Sequence, residues 1–179
     1  MLKSAIWNGP TSVLAETPFI PAAAFAEVVY SSLPLYYNGN VVDEFSITFK
    51  EGEAIEYHAK VGEDVLASII ETDEGSHYLG EIALIPYDSP ISKMNLLFYN
   101  TLYDENASCH LALGRGFSEC IKDGLSMNKE QLLDKGINDS LTHVDFMIGT
   151  ADLNIEATLE NNEKIAIFKD GNWAFSIDN

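Results

Sequence analysis

Apolar and polar positions alternate along residues 41–48, Val-Val-Asp-Glu-Phe-Ser-Ile-Thr, and again along residues 54–60, Ala-Ile-Glu-Tyr-His-Ala-Lys. A period of two marks strands buried on one face, and Lys50-Glu-Gly-Glu53 between them predicts a hairpin. From Glu63 the period changes. Apolar side chains at Val65, Leu66, Ile69 and Ile70, behind two acids in the first turn, predict a short amphipathic helix over 63–72, stopped by Gly75. Tyr78 to Ile85 then reads as an apolar strand that carries one acid, Glu81, and ends at Pro86. Residues 87–97, rich in Asp, Ser, Pro and Asn, read as a loop.

A second apolar stretch, Leu96 to Tyr103, leads into Asp104-Glu-Asn-Ala-Ser-Cys-His-Leu-Ala-Leu-Gly114. Asn106 or Ser108 can cap a short helix there, which puts Glu105 just before it and His110 within its first turns. Residues 128–136 read as another helix closing at Gly136. Leu141 to Gly149 is a strand, and residues 152–174 supply two more joined by Glu160-Asn-Asn-Glu163. The expected fold is α+β, a mixed, mostly antiparallel sheet with a few short helices. With 179 residues and 46% hydrophobic content, the chain is expected to form a single domain over residues 1–179.

Charge narrows the function. Acidic residues outnumber basic ones 28 to 10, for a net charge of −18, so the surface repels phosphate backbones and anionic bilayers. Nucleic acid and membranes are set aside as partners. There is no apolar run of the length that spans a bilayer and no secretory leader pattern at Met1, so a cytoplasmic location is expected. Cys109 and Cys120, eleven apart, build neither a disulfide framework nor a zinc knuckle.

In the strand from Leu141, His143 and Asp145 share one face, while Val144, Phe146 and Ile148 take the other. Taken alone, a His-x-Asp is more often an acid orienting a surface histidine. Glu105 and His110 flank a loop-to-helix junction that can bring them together, although a helix-start glutamate and a core histidine are each common. Glu81 lies inside an apolar strand, where a carboxylate needs a partner or a metal. Basic residues are scarce nearby: Lys93 and Arg115 lie outside the three segments, and none occurs between 136 and 163. Three carboxylates and two imidazoles form an N/O donor set suited to zinc, cobalt or manganese, and large enough for two ions. The HExxH and G-x-S-x-G motifs are absent, and Leu113-Gly-Arg-Gly116 lacks the lysine of a phosphate loop. Cys109 adjoins His110 in sequence, but neighbours on a helix point about 100° apart, so it reads as a structural thiol.

Three passages carry a specific wording: Tyr78-Leu-Gly-Glu-Ile-Ala-Leu-Ile-Pro-Tyr-Asp-Ser-Pro-Ile-Ser92, Leu97-Phe-Tyr-Asn-Thr-Leu-Tyr-Asp-Glu-Asn-Ala-Ser-Cys-His-Leu-Ala-Leu-Gly114, and Asn138-Asp-Ser-Leu-Thr-His-Val-Asp-Phe-Met-Ile-Gly149. From about Pro34 to Ala174 the chain resembles the C-terminal half of the M29 metalloaminopeptidases, the aminopeptidase T and aminopeptidase S group. The resemblance implies metal ligands at Glu81, Glu105, His110, His143 and Asp145, with Glu27 as the remaining glutamate. It also implies two divalent ions, zinc, cobalt or manganese, and a bridging or base role for Glu81 or Glu27. Peptides with a free N-terminus are the implied substrates, and a cytoplasmic homodimer the implied assembly.

Three departures accompany it. The family's N-terminal α/β domain has no counterpart here, so the chain reads as the catalytic half alone. Ala22-Ala-Ala-Phe-Ala-Glu-Val-Val-Tyr30 differs in wording, and its connection to Pro34 is shortened. Phe117 stands where the family has a tyrosine. These departures leave an alternative expectation, a catalytically impaired or metal-free binding and dimerisation domain that retains the family core.

Overall fold

The computed structural model describes residues 2–8, 12–15, 26–159 and 161–176, with side chains from Val28 onward, Thr158 excepted. The described strands form three sheets in which every pairing is antiparallel, and the helices are few and short. The α+β expectation holds.

The first sheet joins β1 (Leu2–Asn8) and β2 (Ser12–Ala15) to β10 (Asn154–Leu159), β11 (Lys164–Lys169) and β12 (Asn172–Trp173), in the order β12-β11-β10-β1-β2. The second holds β3 (Ala26–Tyr30), β4 (Leu35–Tyr37), β5 (Asn40–Lys50) and β6 (Glu53–Val61). The β5–β6 hairpin turns where expected, on Glu51 and Gly52, both at positive φ. Val42 and Phe45 are both buried although three apart, because Glu44 at φ 48° resets the alternation before Phe45, Ile47 and Phe49. The third sheet is β7 (Leu79–Ala83), β8 (His110–Gly114) and β9 (His143–Met147), in that order.

Helix α1 (Glu63–Ile70) starts after Gly62 at φ 72° and buries Leu66, Ile69 and Ile70, as its spacing predicts. The loop expected over 87–97 contains one helical turn, α2 (Pro90–Lys93), where the Ser89 side chain accepts from Ser92 N–H. A second short helix, α3 (Thr101–Asp104), is capped by Asn100. In α4 (Lys129–Asp134) Asn128 and Gln131 form a reciprocal capping box, and Gly136 leaves at φ 84°.

The helix expected to follow Asn106 is not formed. A single 3₁₀ turn over Glu105–Ala107 ends at Ser108 in extended backbone, and His110 opens strand β8. All five residues of β8 are buried. A run with no polar face suits a central strand flanked on both edges, and tertiary pairing overrides the helix preference of Leu and Ala. Ser108 serves this strand rather than a cap, accepting from Gly149 N–H and donating to the carbonyl of Gly149.

Val29, Phe45, Ile47 and Phe49 of the second sheet, Leu66 and Ile69 of α1, Leu111, Leu113 and Phe146 of the third sheet, and Ile155 and Phe168 of the first form one apolar cluster. Ser32 N–H donates to the Met147 carbonyl at 2.8 Å and ties the second sheet to β9. Among the described residues no helix is long and apolar enough to cross a membrane.

Candidate metal centre

The register of the third sheet assembles the site. Glu81 lies opposite Ala112, and Ala112 opposite Asp145. Directly opposed residues of antiparallel strands share a face, so both carboxylates rise from the same side of the sheet. His110, two before Ala112, and His143, two before Asp145, join them by the period of two. Leu111, Leu113, Val144 and Phe146 take the opposite face and enter the core. The methyl of Ala112 between the two acids leaves space above the sheet. Glu105 arrives from outside, on the 3₁₀ turn that precedes β8.

Ligand-capable atoms fall into two groups, Glu81 with His143 and Asp145, and Glu105 with His110 and Asp145, each with its atoms within 4.8 Å of one another. Asp145 belongs to both. The five residues singled out from charge and spacing are therefore brought together. Asp145 is common to both groups, and Glu81, given a bridging or base role in the sequence analysis, lies between the two imidazoles. Its two oxygens lie 3.4 Å from His110 Nε2 and 3.5 Å from His143 Nε2. His143 Nε2 is 3.1 Å from Asp145 Oδ1. The backbone of Glu27 pairs with Phe49 on the second sheet, and its side chain lies outside the described residues.

Both imidazoles are oriented by main chain. His110 Nδ1 donates to the Ser108 carbonyl at 3.0 Å, and His143 Nδ1 to the Arg115 carbonyl at 2.6 Å. With the proton held on Nδ1, each Nε2 presents its lone pair to the cluster, the arrangement that fixes tautomer and ring direction for a metal. These carbonyls, and Asn138, whose Nδ2 donates to the carbonyls of Gly75 and Gly114, were not foreseen. Backbone acceptors carry no residue-type signal.

Burial and mutual charge shift how these groups titrate. Burial and the neighbouring Asp145 push the Glu105 carboxyl up to about 7. Burial alone would lower His110 and His143, but hydrogen bonds to Glu81 and Asp145 respectively, and to the two carbonyls, leave both raised. Burial works against the Asp145 carboxylate, and the His143 hydrogen bond and charge outweigh it, so Asp145 stays low. Among the described residues no lysine or arginine forms an ion pair with Glu81, Glu105 or Asp145. Two imidazole nitrogens and three carboxylates, two of the five residues buried and three half-buried, and short of positive charge, fit divalent cations of zinc type.

Gly114 sits beside His143 in this face at φ 96°, and a Cβ there would overlap the Thr142 carbonyl. Gly114→Ala is expected to cost on the order of 3 kcal/mol, read as a lower urea midpoint, because backbone rather than a flexible side chain must yield. Phe117 lies on the other side of His143, ring centroids 4.6 Å apart. It offers a hydrophobic face and no hydroxyl.

Comparison with known proteins identifies the family. The family described as thermophilic metalloprotease (M29) matches residues 22–173. Aminopeptidase AmpS of Bacillus subtilis is 53% identical over 148 residues, 83% of this chain and 36% of that protein. Aminopeptidase T of Thermus aquaticus is 39% identical over 146 residues, 82% of this chain and 35% of that protein. The solved structure of wild-type AmpT from Thermus thermophilus aligns with a TM-score of 0.84 at 30% identity, covering 97% of this chain and 50% of its own. The chain thus spans about a third of the length of these curated relatives. With a profile match over most of its length and a metal-suited face on the sheet that the match includes, the chain belongs to the M29 metalloprotease family.

Proposed function

We propose that this chain is the metal-binding catalytic part of an aminopeptidase that hydrolyses the N-terminal peptide bond of peptides. The observation that carries the reading is Asp145, shared by two ligand groups that each contain one imidazole with an oriented Nε2. Glu81, His143 and Asp145 would hold one divalent ion, and Glu105, His110 and Asp145 a second, as zinc, cobalt or manganese. The chemistry that bound ions would supply there is polarisation of a scissile carbonyl and a lowered pKa of water.

The protein's own groups complete the task. A carboxylate must take the proton of the attacking water and return it to the leaving amine, and Glu81 and Glu27 remain the residues proposed for this. The acidic cluster favours the cationic N-terminus of a peptide, which selects chain ends over internal bonds. Cytoplasmic location and a homodimer belong to the same reading and rest on the family resemblance.

The test is metal content of the purified chain together with hydrolysis of leucine p-nitroanilide, with and without chelator. Hydrolysis that chelator abolishes and added metal restores supports the proposal. Metal uptake without hydrolysis limits this chain to the ligand-bearing part of a longer enzyme. Neither property would identify a metal-free binding and dimerisation domain.

A further inference from the structure

We propose that Asn138 is a positioning residue for His143: it fixes the two peptides that flank Arg115, whose carbonyl keeps the ring proton on Nδ1 and leaves Nε2 free for a cation. The inference rests on the aminopeptidase reading above and extends it to a residue outside both ligand groups.

The surroundings of the ring create the need. His143 stands between two acceptors, with Nδ1 2.6 Å from the Arg115 carbonyl and Nε2 3.1 Å from Asp145 Oδ1. A neutral imidazole carries one proton, so only one of these contacts can have a donor. While the carbonyl stays in place the proton serves it, and Nε2 presents a lone pair to the cluster. Were the carbonyl to turn away, the proton would pass to Nε2 and be held there by Asp145, on the lone pair that a cation requires. The tautomer of His143 therefore depends on the course of the main chain at Arg115.

That stretch is clamped by the segment that leads into β9. Ahead of Arg115, the Gly114 carbonyl accepts from Asn138 Nδ2 at 2.6 Å, and Arg115 N–H donates to the Thr142 carbonyl at 2.7 Å. Behind it, Gly116 N–H donates to the Asn138 carbonyl at 2.9 Å. The other N–H of the Asn138 amide goes to the Gly75 carbonyl at 2.8 Å. Both partners of the side chain are carbonyls, so an aspartate or an apolar residue of the same size would leave them without a donor. Asp73 anchors the segment from its far side, accepting from Leu141 N–H at 2.6 Å and from the Ser140 hydroxyl at 2.9 Å. Gly80 closes the remaining side: a Cβ there would overlap the Gly114 carbonyl and stand 2.5 Å from the Arg115 carbonyl oxygen. The Arg115 carbonyl is thus held between Gly80 and a strap whose central hydrogen bonds belong to Asn138.

The experiment is long-range ¹H–¹⁵N NMR of the histidine rings in the metal-free full chain at alkaline pH, where the imidazoles are neutral, beside calorimetric titration with zinc. In the parent, His143 is expected to carry its proton on Nδ1. Asn138→Ala should move that proton to Nε2 in most molecules, leave His110 unchanged, and weaken one zinc ion roughly 10–100-fold more than the other. Should Asn138→Ala fail to fold, Asp73→Asn loosens the same segment more mildly, by setting an amide N–H against the N–H of Leu141 or Ser76, and should move the same ring in the same direction. Asn128→Ala removes the cap of α4 and is the control for lost stability alone: it should alter neither the tautomer nor the zinc affinities. A parent ring already protonated on Nε2, a tautomer unchanged in both Asn138→Ala and Asp73→Asn, an equal change in Asn128→Ala, or a moved proton with unchanged zinc affinities overturns the proposal. Failure of zinc uptake in the parent chain instead overturns the metal reading, and the metal-free spectra then decide the role of Asn138 by themselves: a proton that leaves Nδ1 of His143 in the variant supports it, and one that stays overturns it.

Discussion

Zinc added to the metal-free chain at neutral pH is expected to raise its melting temperature by roughly 5–10 °C. A ligand that binds only the folded state stabilises it by RT ln(1 + [L]/Kd), about 2.7 kcal/mol at a hundredfold excess over Kd, and about 2–4 °C follows per kcal/mol at this chain length. The gain should grow with pH. In the metal-free protein the Glu105 carboxyl rises from 4.5 to about 7, so the folded state holds its proton more tightly than the unfolded state does. That contribution is complete below 4.5 and is lost as pH rises towards 7. His110 and His143 are also raised, so their contribution is complete below 6.5 and is lost above it, as pH passes their folded values. Asp145 is lowered and acts oppositely, stabilising above 3.8 and failing only as pH falls through its folded value. The metal-free chain therefore weakens from about pH 4.5 to neutrality while the ligands become free to bind, and the zinc-induced shift widens over that same interval. His143→Ala should reduce the shift, since it disturbs one of the two ligand groups. His58→Ala should retain it, because His58 pairs with Glu63 at 2.5 Å on the exposed face of the hairpin, away from the cluster. Differential scanning fluorimetry across pH decides the matter, and equal losses in the two variants would contradict the site.

Asp145→Asn is expected to have the largest effect on metal stoichiometry and on hydrolysis. Asp145 belongs to both candidate ligand groups, so, on the two-ion reading proposed above, its loss should lower zinc content from two ions per chain to less than one. His110→Ala and His143→Ala each disturb one group and should leave about one ion. The asparagine keeps the shape but removes the charge and one acceptor oxygen, in a position that is only 8% exposed. Where the parent hydrolyses leucine p-nitroanilide, Asp145→Asn should lose at least 10³ in kcat/KM, about 4 kcal/mol of transition-state stabilisation. Metal analysis by mass spectrometry reads the first effect independently of the second. Two ions retained in Asp145→Asn would refute the shared role.

Much of the architecture is legible in the pattern of side chains because local rules dominate there. Alternation over 41–48 and 54–60 with a Glu-Gly turn becomes the β5–β6 hairpin, and Asn128 with Gln131 becomes a capping box, each within a few residues. The segment after Glu105 fails for the opposite reason. Its Leu-Ala-Leu core favours a helix locally, and only the edges of β7 and β9 convert it to a strand. That change moves His110 from a helix face to the register line of Asp145. Cys109 and His110 then point to opposite faces, and the thiol is buried, bonded to the main chain of Ile85 and raised to about 11.

By itself the sequence determined the chemical inventory: which carboxylates and imidazoles lack basic partners, which strands alternate, and, through the wording around Glu81, Glu105 and His143, the family. Those are properties of neighbouring residues. The tertiary structure alone decided that Asp145 is common to two ligand groups, that Glu81 faces both imidazoles, and that the carbonyls of Ser108 and Arg115 orient them. Each of these depends on strand register, and register is set by burying Leu111, Leu113, Val144 and Phe146 on the far face of the sheet. A slip of one residue would send those apolar side chains to the other face and the candidate ligands to the core, so the packing that stabilises the sheet also places the candidate site.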